Sequence, residues 1–346
     1  MEKIVIHKPG GFNRLKIESF PDPVPDDDHI VVKTKAIGVN YADCVIRMGY
    51  YASAKEYVGW PITPGFDFSG IVENVGNNIS TFKPGDRVFG VSRFDAYATH
   101  VVVPANQLYH LPDSRSFEEG GAFPTIYLTA YYALHMSVKL FPESTILVHS
   151  AAGGVGCALL QLSKNAGWQT IGVVGNSDKI KIAEDMGATH IIDKSRQDLW
   201  AEVEKIVPDG LDAVLDGNGY ITLRDGLKHL RSNGKLIAYG FHSMFPRKYG
   251  IPNPLKLAID YFRTPRFNPL GMHDKNYSLV TFNLSFLFHR IDLLKSATED
   301  LVNWFSDGKI MLPPIKTYPF TESAQAHRDL QSGKTVGKLV LLTEEN

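Results

Sequence analysis

Residues 146–156 read Ile-Leu-Val-His-Ser-Ala-Ala-Gly-Gly-Val-Gly and run into an apolar-periodic segment that starts at Cys157. An apolar strand that empties into a glycine-rich turn and then opens a helix narrows the fold more than any other feature of this chain. Such a turn lets a diphosphate approach bare backbone, and the N–H groups of the helix N-terminus meet its charge. The three glycine positions of the dinucleotide fingerprint fall on Ala151, Gly153 and Gly156. The first is alanine, so a structural turn with no ligand stays open as a reading of the motif alone. The expected contacts from the turn are Ala152, Gly153, Gly154, Val155 and Gly156.

The texture on either side of the turn extends this reading. Up to about residue 123, short β-branched runs at 4–6, 30–35, 70–75, 87–91 and 98–103 are separated by Gly, Pro and Asn/Asp turns. They predict a compact antiparallel barrel or sandwich. Residues 125–136 are helical in pattern, and from there strands and helices alternate. Strands are expected at 145–149, 170–174, 190–193, 213–216, 235–239 and 281–288, with helices at 157–166 and 179–186. That rhythm predicts a parallel sheet covered by helices on both faces. The tail returns to β texture at 315–318 and 338–342, which suggests that it completes the first domain. The expected organisation is 1–123 for the first domain, 124–288 for the nucleotide domain and 289–346 for the return.

With 346 residues and 44% hydrophobic side chains, the chain can bury two cores. Lys plus Arg number 36 against 37 for Asp plus Glu, so no basic surplus points to nucleic acid. The two cysteines, Cys44 and Cys157, build neither a disulfide framework nor a thiolate metal cluster, which fits a reducing compartment. Both read as small buried hydrophobes. No apolar run reaches the roughly 18 residues that span a bilayer, and a cytoplasmic location is expected.

The second strand decides between nicotinamide cofactors. An NAD site places an acid about 20 residues past the glycine turn, at that strand's tip. Here Val174-Gly175 is followed by Asn176, Ser177, Asp178 and Lys179. Small hydrogen-bonding groups and a lysine suit a ribose phosphate, so NADP(H) is expected. An ordinary helix start with a solvated lysine remains open. Ligands of such sheets lie outside the carboxyl ends of the strands, which adds Asn218, Gly240, Phe241, Phe282 and Leu284 as candidate cofactor contacts.

Four motifs in order carry a family resemblance. They are Asn40-x-x-Asp43-x-x-x-Arg47-x-Gly49-x-Tyr51; Pro64-Gly65-Phe66-Asp67-Phe68-Ser69-Gly70 with Gly85-Asp86-Arg87-Val88; Leu128-Thr129-Ala130-Tyr131 leading into the glycine turn; and Val336-Gly337-Lys338-Leu339-Val340. Together they resemble the medium-chain dehydrogenase/reductase superfamily. The chain is most similar there to the zinc-independent quinone oxidoreductases, and in its tail to the branch of vesicle amine transport protein homologues. The resemblance implies an α/β fold, a Rossmann doubly wound sheet inserted into a GroES-like β-barrel domain. It implies NADPH-dependent reduction of a quinone or an α,β-unsaturated carbonyl.

The zinc enzymes of that superfamily carry a cysteine where Asn40 stands and a histidine where Phe66 stands, and neither replacement ligates zinc. No metal is therefore expected. Tyr51 matches the family tyrosine that faces the nicotinamide; it is either a hydrogen-bond donor to the acceptor oxygen or an aromatic wall. Asn40 is expected to position cofactor and substrate, and Thr129 to lie near the nicotinamide end or bond within its own helix. Asp43 and Arg47, four apart, suggest a helical ion pair. Lys194 stands where relatives often carry a tyrosine beside the adenosine, and either strengthens phosphate binding or is solvated.

Residues 244–266 mix Arg247, Lys248, Lys256, Arg263 and Arg266 with aromatics, and an amphipathic helix is expected there. It could serve as a lid, a dimer contact or a peripheral membrane contact. The family pattern and the apolar 281–288 strand at the sheet edge predict a homodimer. A reading of another class is a dinucleotide-binding protein with little turnover, in a structural or membrane-linked role.

Overall fold

The computed structural model describes residues 1–344. Two sheets organise the chain. The first is largely antiparallel, with strands in the order Ile315–Pro319, Lys338–Leu342, His29–Val39, Asp67–Val75, Arg87–Val91 and Leu108–His110. His29–Val39 is long enough to change partners along its length. Its first half pairs with His100–Pro104, and its second half pairs with Lys338–Leu342. Register shifts against Asp67–Val75 at Val31/Val32 and Thr34/Ala36 bend it between the two. The two tail strands run parallel to each other around the Ser323–Ser332 helix, so the tail does return to the first sheet.

The second sheet is wholly parallel, in the order His190–Asp193, Gln169–Val174, Thr145–Val148, Leu211–Asp216, Leu230–Ala238 and Ser278–Thr281. The chain enters at Thr145–Val148, builds outward to one side, then returns to build the other. The order reverses between Thr145–Val148 and Leu211–Asp216, and such a reversal opens a crevice at the strands' carboxyl ends.

Both faces of this sheet are buried, as a doubly wound sheet requires. Ile146, Val148, Val174, Leu215 and Ile237 pack on one side. Leu147, Ile171, Val173, Val214 and Leu236 pack on the other. Burying side chains of this size stabilises by about 1.5–3 kcal/mol each. Phe123, where the first sheet hands over to the second, stacks on Phe305 with ring centroids 4.3 Å apart, which seals the join.

Two expectations are corrected. The strand expected at 281–288 is short, ending at Thr281, and Leu284–Leu294 is a 3₁₀ segment. The physical reason is a cap: the Asn283 side chain accepts from the Ser285 N–H and starts the turn. The Asp43–Arg47 ion pair does not form. Asp43 turns to backbone N–H groups and Tyr97, while Arg47 turns to Gly10, Gly250 and Gln331. No helix among the described residues is long and apolar enough to cross a membrane.

Candidate functional site

The glycine turn is held from beneath by the sheet. The Ala151 N–H donates to Val173 O and the His149 N–H to Leu215 O, so the turn straddles the strand reversal. Ser150 takes the left-handed region at φ 55°. The helix Gly154–Asn165 then starts with no side-chain cap. Its leading N–H groups, on Gly154, Val155 and Gly156, are left for a ligand. A Cβ on Gly156 would fall 2.3 Å from Ser150 O, so only glycine lets the helix approach this closely. The alanine in the first fingerprint position does no harm here: Ala151 is fully buried against the sheet.

Around the turn, polar atoms are buried without protein partners. These are Asn176 Oδ1 at the tip of the second strand, Asn218 Nδ2 beyond the Leu211–Asp216 strand, and Ser243 Oγ past the next. Asn218 is held in place by Ser150, whose Oγ donates to Asn218 Oδ1 at 3.2 Å. Asp216 fixes the same loop by accepting from the Asn218 and Gly219 N–H groups and from Thr222 Oγ1. Gly240 and Phe241 line the next tip. Leaving such atoms unpaired costs about 1–3 kcal/mol each, and a polar ligand would remove that cost. His149 and His242 nearby are held near pKa 4 by burial, opposed by Asp216, so both imidazoles are neutral at pH 7.

The cation end of the crevice differs from the sequence reading in one respect. Lys179 Nζ donates to Gly333 O and Thr335 O at 2.8 and 2.9 Å, tying the second strand's loop to the tail. Ser177 Oγ donates to Asp193 Oδ2 at 2.6 Å. An acid therefore stands beside this tip after all, from the neighbouring strand. Hydrogen bonds from Ser177 and then Ser195 hold its carboxyl below the usual range, so it stays ionised. Lys194 follows it, exposed at the same edge. Parallel register places this acid, Asp193 opposite Val174, and no pattern along the second strand alone encodes it.

The chemistry end is built on a buried network. Asn40 Nδ2 donates to Asp67 Oδ2 at 2.8 Å, and Lys338 Nζ donates to Asn40 Oδ1 at 2.5 Å and to Asp67 Oδ2 at 2.8 Å. Asp67 Oδ1 accepts from the Thr125 N–H, which sets the start of the Pro124–Tyr131 helix that carries Thr129. The Asn40 amide is thus committed within the protein. Lys338 also connects the two ends: its neighbour Gly337 donates its N–H to Ala152 O in the glycine turn.

Tyr51 packs edge-on against Phe66 and Phe94 and donates its hydroxyl to Asn283 Oδ1 at 3.0 Å. Burial raises its phenol above the ordinary range, so it keeps its proton. Tyr51 is therefore brought against the segment that holds Phe282 and Leu284. Phe282 packs on Tyr132, and Leu284 shares a small apolar hollow of about 40 Å³ with Leu128, next to Thr129. The Thr129 hydroxyl makes no bond within its own helix among the described residues. Asn283 lay between two residues named from the sequence, and nothing local marked it. No group of three metal-ligating side chains occurs among the described residues.

Comparison with known proteins gives the following. A family model described as an alcohol dehydrogenase GroES-like domain matches residues 26–113, and one described as a zinc-binding dehydrogenase matches 186–341. The synaptic vesicle membrane protein VAT-1 homolog of Danio rerio is 32% identical over 97% of this chain and 68% of its own length. The quinone oxidoreductase of Mus musculus is 30% identical over 99% of this chain and 98% of its own. The crystal structure of Escherichia coli quinone oxidoreductase complexed with NADPH superposes with a TM-score of 0.85 at 28% identity, covering 99% and 100%.

Proposed function

Because the chain belongs to the medium-chain dehydrogenase/reductase superfamily, in its quinone oxidoreductase and VAT-1 branch, we propose that it is an NADPH-dependent reductase of quinones or α,β-unsaturated carbonyls that works without zinc. One observation carries the reading: an uncapped glycine-turn helix ringed by the unpartnered Asn176 Oδ1, Asn218 Nδ2 and Ser243 Oγ. These groups fit a dinucleotide laid across the strand reversal, with its diphosphate on Gly154 to Gly156. NADPH supplies the hydride, and a conjugated acceptor spreads the resulting charge through its own π system.

This chain's residues orient and protonate. Tyr51 keeps its phenol protonated and lies beside the 282–284 segment; with substrate bound, its one O–H turns from Asn283 to the acceptor oxygen and stabilises developing enolate charge. Thr129, with a free hydroxyl, and Leu284 hold the nicotinamide end. Asn40 acts at one remove. Its amide and Asp67 lock Lys338, whose neighbour Gly337 braces the glycine turn. Zinc independence rests on Asn40 and Phe66, which stand at the ligand positions of the zinc enzymes and cannot ligate the metal, and the Asn40 amide is bound to Asp67 and Lys338. Lys179 and Lys194 favour the phosphorylated cofactor, while the Ser177-bound Asp193 tempers that preference. Residues 1–123 with 289–346 form the unit that carries Tyr51, and 124–288 the unit that carries the glycine turn.

A second reading has its own support. The Pro254–Arg263 helix leaves Leu255, Tyr261 and Phe262 exposed at 72%, 69% and 77%. That face suits a membrane-linked role with little turnover. A scan of NADPH consumption against quinones and enones, run with chelator present, separates the two. Turnover of at least one acceptor class supports the reductase, and inertness to all of them supports the second reading.

A further inference from the structure

The 246–250 loop is pinned in place by two buried side chains of the first domain. Gln331, 1% exposed, donates from Nε2 to Pro246 O at 2.5 Å and to Tyr249 O at 2.8 Å. Arg47, fully buried, donates to Gly250 O at 2.8 Å and to Gln331 Oε1 at 2.7 Å. Phe245 adds a ring contact to Tyr50. A loop fastened on both sides of one residue presents that residue in a fixed place, and the residue is Arg247.

What Arg247 is presented to is Gly333. A Cβ on Gly333 would stand 3.9 Å from both Nε and Cζ of Arg247. The carbonyl of the same Gly333 receives Lys179 Nζ at 2.8 Å. The guanidinium and the Lys179 ammonium therefore flank a single backbone position, at the crevice edge where Lys194 follows Asp193. None of the three cations forms an ion pair among the described residues. They act on one another instead: Lys179 is pulled below the usual lysine range by burial first, then by Arg247 and Lys194. Lys194 is pulled down by burial first and then by Arg247. Asp216 and the ionised Asp193 offset only part of this repulsion, and a bound anion would offset more of it.

We propose that Arg247 is the third cation of a site for the phosphate on the adenosine ribose, completed above Lys179 and Lys194, so that the 245–250 loop is a cofactor clamp. The assignment rests on the NADP(H) reading and deepens it. Asp193 stays ionised and works against a phosphate at this edge; Ser177 and Ser195 occupy its oxygens, and a third cation offsets its charge. A guanidinium adds a planar pair of donors to two point charges, the geometry that phosphate oxygens match best.

The test is calorimetric titration of the full chain, native, Arg247→Ala and Arg247→Lys, with NADPH, NADH and adenosine 2′,5′-bisphosphate. Arg247 is exposed, so unchanged thermal unfolding is expected in both variants. Arg247→Ala should weaken NADPH and the bisphosphate by about 10- to 100-fold, and NADH by less than about 3-fold. Arg247→Lys should recover part of the loss. Native-like NADPH binding by Arg247→Ala, or equal losses for NADPH and NADH, would overturn the clamp while leaving the NADP(H) reading intact. A native protein that binds neither NADPH nor the bisphosphate would sink that reading and the clamp with it.

Discussion

Asp43 shows how far a single residue can be taken. It is fully buried, and its carboxyl accepts from the Asn40 and Gly65 N–H groups and the Tyr97 hydroxyl. Burial outweighs those bonds and the pull of Lys338, and raises it from the ordinary 3.8 to about 7. The folded chain thus holds this proton more tightly than the unfolded chain does. The stability it contributes is complete below about pH 4 and is lost as pH rises toward 7. Asp43→Asn should flatten that part of the pH dependence, as read by thermal unfolding between pH 4 and 7; an unchanged slope would remove Asp43 as its source. At this scale the sequence told which residues could matter but not whom they meet. Tyr51 meets Asn283 and Lys338 meets Asp67, more than 200 residues away in each case, and no local signal encodes such pairs. Lys179 was legible as a cation, but its tether to Gly333 and Thr335 was not.

Elements were legible where their period was clean. The glycine turn, the strands that flank it and the 157–166 helix stand where the pattern puts them. The 281–288 segment failed because its apolar alternation also fits a capped 3₁₀ turn, and Asn283 decided the matter with one side-chain bond. The real edge strand is Ser278–Thr281, and the homodimer we propose forms there. The Phe282 N–H reaches inward to Ala238 O, so by alternation the Thr281 N–H points away from the sheet and is open to a partner strand. Thr281→Pro removes that outward donor and spares the inward ladder. Light scattering should find a native dimer that Thr281→Pro converts to monomer, and a native monomer at micromolar concentration would rule out pairing through this edge.

At the scale of the whole molecule, the change from β texture to alternating strands and helices, and back again, was enough to foresee one sheet set within the chain of another. What it did not reveal was the joinery. The tail carries two helices, Lys295–Ser306 and Ser323–Ser332, where only β texture was read. The first supplies Phe305 to the seal with Phe123, and the second supplies Gln331 to the 246–250 loop. Both act across long separations, through burial and buried hydrogen bonds that periodicity does not report.

The account turns on the crevice at the strand reversal being a site for a phosphorylated nicotinamide dinucleotide. Its most direct test is the affinity of the native chain for NADPH against NADH at fixed ionic strength. Lys179, Lys194 and the unpartnered Asn176 and Asn218 groups predict one NADPH per chain, bound about 10-fold or more tighter than NADH. Equal affinity, a preference for NADH, or no binding of either would contradict it.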